Sequence, residues 1–316
     1  MRRRVKMLTS PGNICFFLMD FYMIYCNQKD LNSYLCGKNK SMKSIDIPYT
    51  GSLPDADEIR EASNTGIIDA VCEYARGLSK QDWHYISYKL FLPYTHKCPV
   101  CSRREYGKRY GSNCICVPFA CWHHGGHIPC RCSTHVINDS NWNRIAELPD
   151  DNAALDIARK RIGVRDIMLI RGKNVMDSLH RGDICAHFSE GRYIHSSLYL
   201  GEGKMLDCSL EKMHIAIRDA MKSEFAIRYT GGRDHLTAGD SGKAVTEVQE
   251  FLNWHFSGHE GWLPLETDGR FGCRTQEAVR LFQSQNSLRS DGIISSRTLA
   301  VMKKEISEFD GTEDIR

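Results

Sequence analysis

The sequence predicts an α+β fold followed by a small all-α unit, on three observations. Apolar residues at helical spacing come first, in Ile67, Ile68, Val71, Cys72 and Tyr74. Strand-like runs then crowd residues 167–229, and an internal echo recurs beyond them. Helix first and strands afterwards, without βαβ alternation, favours an antiparallel sheet over a doubly wound one.

The 316 residues suffice for two domains, each with its own core. A net charge of +3 is too small to argue for nucleic acid and is compatible with mild attraction to an anionic polymer. Fourteen cysteines, some clustered and others set in apolar runs, read as free or metal-bound thiols made in a reducing compartment. Arg2, Arg3 and Arg4 precede an apolar run from Ile14 to Cys26, which Asp20 interrupts and which is too short to span a bilayer. Three readings stand for it: a non-native or poorly ordered extension, a weak signal or anchor, and a core helix. Residues 1–42 are therefore set apart as an extension of unknown role, and organised sequence begins soon after Met42.

Residues 43–65 are polar, and Pro48, Gly51 and Pro54 mark loop. A first helix is expected over Asn64–Leu78. Residues 83–94 are aromatic and expected to be buried, and 97–109 form a basic loop holding Cys98 and Cys101. A helix opening at Cys114 ends near Gly125 and Gly126. Loop is expected from there to Pro149, then a helix capped by Asp151 and stopped by Gly163. Strand signals follow at 167–170, 184–188, 193–200, 204–208 and 225–229. Gly231 and Gly232 mark a linker, and the boundaries expected are 43–230, a linker at 231–236, a module at 237–305 and a tail at 306–316. Within the module, Asp268-Gly269 and Asp291-Gly292 are each followed by a threonine, Thr275 and Thr298, that leads into a helix.

Chemistry converges on three residues. Cys114, delivered by a Gly111-Ser112-Asn113 turn to a helix start, feels the positive end of the helix dipole, which favours thiolate. If Gly201, Glu202 and Gly203 form the loop between two strands, Ser197 lies opposite Asp207. His195 and Asp207 then share one face as diagonal neighbours, and the pairing depends on that register. A nucleophile, a base and an orienting acid are what acyl transfer through a covalent intermediate requires.

Asn113-Cys114 before a helix, Gly182-Asp183 before a strand, and the run from His195 through Tyr199, Leu200, Gly201, Gly203, Lys204 and Met205 to Asp207 resemble the NlpC-type peptidoglycan cysteine peptidases. The resemblance covers roughly residues 65–230 and implies a papain-like fold, with a helix packed on an antiparallel sheet. It also implies Cys114 as nucleophile, His195 as base and Asp207 as the group that holds the imidazole. The C-terminal unit resembles the three-helix peptidoglycan-binding domain, through Gly239-Asp240, Gly242, Val248-Gln249, Leu252, Asp268-Gly269, Phe271-Gly272, Ala278-Val279, Phe282-Gln283 and Asp291-Gly292. The two together look like a bacteriophage endolysin: a hydrolase, either a cysteine endopeptidase or an N-acetylmuramoyl-L-alanine amidase.

The resemblance further implies peptidoglycan as partner, no nucleic acid, no stable membrane insertion, a monomeric state, and synthesis in a bacterial host cytoplasm, with secretion as the alternative. Tyr110, His124, Asp268, Phe271 and Gln283 are its expected substrate contacts. No cofactor is expected for catalysis. A structural zinc on Cys98, Cys101, Cys130 and Cys132, with His96, His127 or His135 as alternative ligands, stands beside a set of reduced thiols. The family's Asp-Cys-Ser-Gly is here Asn113-Cys114-Ile115-Cys116. Pro118 falls where a helix opened at Cys114 would need its N–H, at a cost of about 3 kcal/mol, so the helix is expected to start later or bend. Two other readings stay open: a wall-binding protein with impaired catalysis, and a zinc-dependent amidase.

Overall fold

The computed structural model describes residues 48–81, 83–85, 110–112, 114–130, 139–208 and 214–309. Residues 1–42 and the tail from 310 onward, with the readings placed on them, lie outside this set, as does most of the aromatic and basic stretch 83–109.

Helix α1 runs Ala56–Ser79 and begins well before the expected Asn64. Its start is a capping box. Asp55 Oδ1 accepts from the Asp57 and Glu58 amides, both at 2.9 Å, and Glu58 Oε2 accepts from the Asp55 amide at 3.0 Å. The first turns are polar, so apolar spacing overlooked them, although the Asp-x-x-Glu pattern was legible. Strands β1 (Trp83–Tyr85) and β2 (Tyr110–Ser112) pair in parallel.

Helix α2 spans Cys116–Ala120 and continues as a π-helical turn over Cys121–Gly125. Residues 139–147, expected as loop, form α3 (Asp139–Glu147), which buries Trp142 and Ile145 one turn apart. Helix α4 (Asp151–Ile162) is capped by Asp150, one residue earlier than expected, and closes on Gly163 at φ 81°.

The sheet holds β3 (Ile167–Arg171), β4 (Ile184–Ser189), β5 (Arg192–Gly201), β6 (Lys204–Cys208), β7 (Ile215–Asp219) and β8 (Phe225–Tyr229), in the order β3-β8-β4-β5-β6-β7 with every pairing antiparallel. The architecture is α+β. Strand β7 was not anticipated, although Ile215 and Ile217 alternate as a strand should. One face of the sheet carries Ile184, Ala186, Leu198, Leu206 and Ile227 into a core shared with Val71, Phe119, Trp122 and Trp142.

Helices α5 (Lys243–His255), α6 (Cys273–Gln285) and α7 (Ser296–Phe309) enclose a second core of Val245, Val248, Phe251, Phe256, Phe282 and Met302. Ile59 and Ala62 of α1 belong to this second core, whereas Ile67, Val71 and Ala75 of the same helix belong to the first. The turn at Gly231-Gly232 is held to α1: Asn64 Nδ2 donates to the Gly231 carbonyl at 2.6 Å, and the Arg233 amide donates to Ser63 Oγ at 2.9 Å.

Candidate active site

Cys114 lies two residues ahead of α2, in a turn, with Ile115 as the helix cap. The helix opens at Cys116 rather than at Cys114, and the reason is Pro118. In this frame Pro118 is the third helical residue, where the missing N–H would have had no intrahelical acceptor. The helix therefore starts later without breaking. It is then tied to the sheet, because Trp122 Nε1 donates to the Gly182 carbonyl at 2.8 Å. Gly125 and Gly126 do more than stop it. A Cβ on either would come within 3 Å of α1, against Ala70 and Val71, so both glycines let the two helices close up.

His195 is placed by two irregularities in β5. Its pairing with β4 slips between His187 and Phe188, which makes Ile194 an extra, exposed residue. The bulge lets Tyr193 stack on Trp142 in the core, with centroids 5.6 Å apart, while His195 stacks on His187 at 5.7 Å. The turn to β6 contains two residues, Glu202 and Gly203, both at positive φ, since Gly201 pairs with Lys204. A two-residue turn alone would send Asp207 to the opposite face. A second bulge at Leu200 restores the expected register, with Leu198 opposite Leu206 and Tyr199 opposite Met205.

On the resulting face His195 Nε2 bonds Asp207 Oδ1. The Cys114 thiol lies within hydrogen-bonding reach of His195, and with Nε2 engaged, Nδ1 is the ring atom left to it. Burial works to lower the His195 pKa, but the bonds to Asp207 and Cys114 outweigh it and push it up to about 9. Asp207 is buried, and its other oxygen lies 3.1 Å from Arg218 Nε on β7.

His187 backs the His195 ring. It too is buried, with Nδ1 2.7 Å from the Lys222 carbonyl and Nε2 2.7 Å from Ser197 Oγ. Nδ1 must donate to the carbonyl, and in the ring that is neutral above about pH 4, Nε2 is left as the acceptor facing the serine. Burial, with the His195 charge beside it, lowers its pKa to about 4. His187 and Arg218 were not among the expected residues. Arg218 was hidden with the unrecognised β7, and His187 carried no motif.

The other expected contacts fare differently. Tyr110 lies in β2, but its side chain is outside the described set. His124 is not brought to Cys114: it sits at the far end of the α2 segment, about 15 Å away by helical rise, against Tyr74 and His123. Phe271 and Gln283 are each 2 % exposed and are spent on the core of the module. Asp268 is exposed, yet its carboxylate accepts from Gln249 Nε2 and the Arg270 amide, both at 2.9 Å. Of the zinc candidates only Cys130 and His127 lie in the described set. The Cys130 thiol is buried in the first core and donates to the Phe119 carbonyl at 3.4 Å. Cys98, Cys101, Cys132, His96 and His135 lie outside it. Among the described residues no three His, Cys, Asp or Glu side chains are grouped to hold a metal, and no helix is long and apolar enough to cross a membrane.

Comparison with known proteins bears on the C-terminal unit. Residues 241–302 match the family model described as "Putative peptidoglycan binding domain". The chain carries a peptidoglycan-binding domain at its C-terminal end. The matched span contains α5, α6 and the first half of α7. Among solved structures, the SleB N-terminal domain is 30 % identical over 23 % of this chain and 92 % of its own, with a TM-score of 0.20. A periplasmic domain of the EpsAB fusion protein of the Vibrio vulnificus type II secretion system is 15 % identical over 52 % of this chain and 77 % of its own, with a TM-score of 0.21. No curated protein sequence matches the chain.

Proposed function

We propose that this protein is a peptidoglycan hydrolase of NlpC type, with a papain-like catalytic domain that uses Cys114 as nucleophile. The observation that carries the reading is His195, held on one ring nitrogen by Asp207 and presented on the other to the Cys114 thiol. The peptidoglycan-binding domain supplies the polymer.

In the proposed reaction His195, protonated below about pH 9, holds its proton at Nδ1 beside Cys114 Sγ as the sulfur attacks an amide carbonyl of a wall peptide. The imidazolium, stabilised by Asp207, then protonates the leaving amine as the C–N bond breaks, and an acyl thioester remains. Water, deprotonated by the now neutral His195, attacks the thioester, and breakdown releases the carboxylate and restores Cys114 Sγ beside the protonated His195. The backbone N–H of Cys114 is the candidate donor to the oxyanion. No step requires a metal. The Pro118 placement supports an active enzyme over an impaired one, because the helix starts late and the thiol still meets His195.

As an endolysin-like enzyme the protein would be made in the host cytoplasm and act on the wall. Turbidity loss of purified cell walls tests the reading: wild type clears the suspension and Cys114→Ala binds without clearing it. Equal clearing by both overturns the nucleophile assignment. Mass spectrometry of the released muropeptides identifies the bond as stem peptide, cross-bridge or muramoyl–alanine amide. Chelator-resistant clearing that thiol alkylation abolishes excludes a zinc-dependent amidase.

A further inference from the structure

Asp207 is gripped from both neighbouring strands. On the β5 side His195 Nε2 takes Oδ1; on the β7 side Arg218 Nε lies 3.1 Å from Oδ2. The ladder produces this arrangement. Arg218 pairs with Met205, two residues from Asp207 on the same face of β6, so Arg218 and His195 approach the carboxylate diagonally from opposite sides. The Arg218 Nε–H is not aligned for a hydrogen bond, so the contact is an ion pair, with the carboxylate buried and the guanidinium partly so. Arg218 Nη2 reaches the His214 carbonyl at 3.4 Å, which anchors the guanidinium at the start of β7.

We propose that Arg218 is a positioning residue for the His195–Asp207 pair, and thus the fourth member of a Cys114–His195–Asp207–Arg218 line. This extends the proposed hydrolase reading, but its core claim concerns only the reactivity of Cys114. Two physical consequences follow. A buried carboxylate with one oxygen unheld can rotate away from its histidine, and the cation at Oδ2 opposes that rotation. The same cation keeps Asp207 ionised, so that it remains an acceptor toward Nε2. Among the described residues, the charged or titratable groups around this pair are Cys114 from the turn before α2, His187 from β4, Tyr193 of β5 against Cys114, Cys208 beside Asp207 on β6, and Arg218 from β7. Among the described residues only Arg218 brings a fixed positive charge to it.

The test measures two things on the full chain with Arg218→Gln and Arg218→Lys. The first is the pH dependence of Cys114 alkylation by iodoacetamide, read by peptide mass spectrometry, which needs no wall substrate. The second is the rate of wall clearing as a function of wall concentration. Arg218→Gln is expected to move the alkaline inflection that His195 imposes on alkylation to lower pH. It should also lower the saturating clearing rate on the order of 10- to 100-fold at unchanged half-saturation. Arg218→Lys, which keeps the cation, is expected to recover part of both. An inflection that stays in place or rises in Arg218→Gln overturns the proposal, whatever the clearing rate does. A shifted inflection in a protein whose wild type clears no walls upholds the positioning role and overturns the hydrolase reading instead.

Discussion

Gln249 and Gln283 make the same set of hydrogen bonds in two successive turns of the peptidoglycan-binding domain. Gln249 Nε2 donates to Asp268 Oδ1, the Arg270 carbonyl and Thr275 Oγ1, and its Oε1 accepts from the Gly269 amide. Gln283 does so with Asp291, the Ile293 carbonyl, Thr298 and the Gly292 amide. The Asp-Gly…Thr echo in the sequence is therefore a structural repeat, each copy closed by one buried glutamine. Gln283→Ala leaves the Gly292 amide without its acceptor and takes one donor each from Asp291, which keeps the Ile293 amide, and from the Ile293 carbonyl, which keeps the Thr298 hydroxyl, and should cost about 1–3 kcal/mol in urea unfolding. Wall binding below the melting temperature should persist. Lost binding at unchanged stability would return Gln283 to the polymer-contact role expected from sequence.

The helix shared by two cores carries the second prediction. Ile59 and Ala62 pack with α5–α7, and Lys243 pairs with Glu58 of α1 across the junction. A Cβ at Gly232 would overlap the Arg60 carbonyl oxygen. Calorimetry of the intact protein should therefore show one transition, not two. Removing residues 233–316 should lower the melting temperature of what remains, because it exposes Ile59 and Ala62 and leaves Ser63 Oγ without the Arg233 amide. Two independent transitions, or a truncation that melts unchanged, contradict a shared core.

Much of this was legible in the sequence because periodicity and turn chemistry report local structure. The diagonal placement of His195 and Asp207 was foreseen from register alone, yet for a partly different reason: a two-residue turn plus a bulge at Leu200 gives the offset expected of a three-residue loop. Sequence offers no sign of such compensation, since a bulge is fixed by cross-strand pairing. The delayed start of α2 followed from Pro118, a local constraint. Arg218 and His187 were out of reach because each matters only through a neighbour on another strand.

His187 predicts acid lability. Its folded pKa of about 4 lies below the ordinary 6.5, so between those values the unfolded chain takes up a proton that the native ring refuses. Its contribution to stability is complete above about pH 6.5 and is lost as pH falls toward 4, amounting to about 3 kcal/mol. Urea unfolding at pH 7 and pH 4 should show that decline in wild type and a smaller one in His187→Gln. Equal declines would mean that His187 does not set the acid limit.

His195 predicts the opposite limb. Its folded pKa is raised to about 9, so the stability it adds is complete below the unfolded value near 6.5 and is lost as pH rises through 9. The same proton is the one delivered to the leaving amine in the proposed reaction. Wall clearing should therefore fall as pH passes about 9. The Asp207 bond is one of the two that raise this pKa, so Asp207→Asn should bring the alkaline limb to lower pH and slow clearing on the order of 100-fold or more. Clearing rates of both proteins between pH 6 and 10 decide the matter. A limb that does not move in Asp207→Asn would show that the carboxylate steadies the strand without setting the proton affinity of His195.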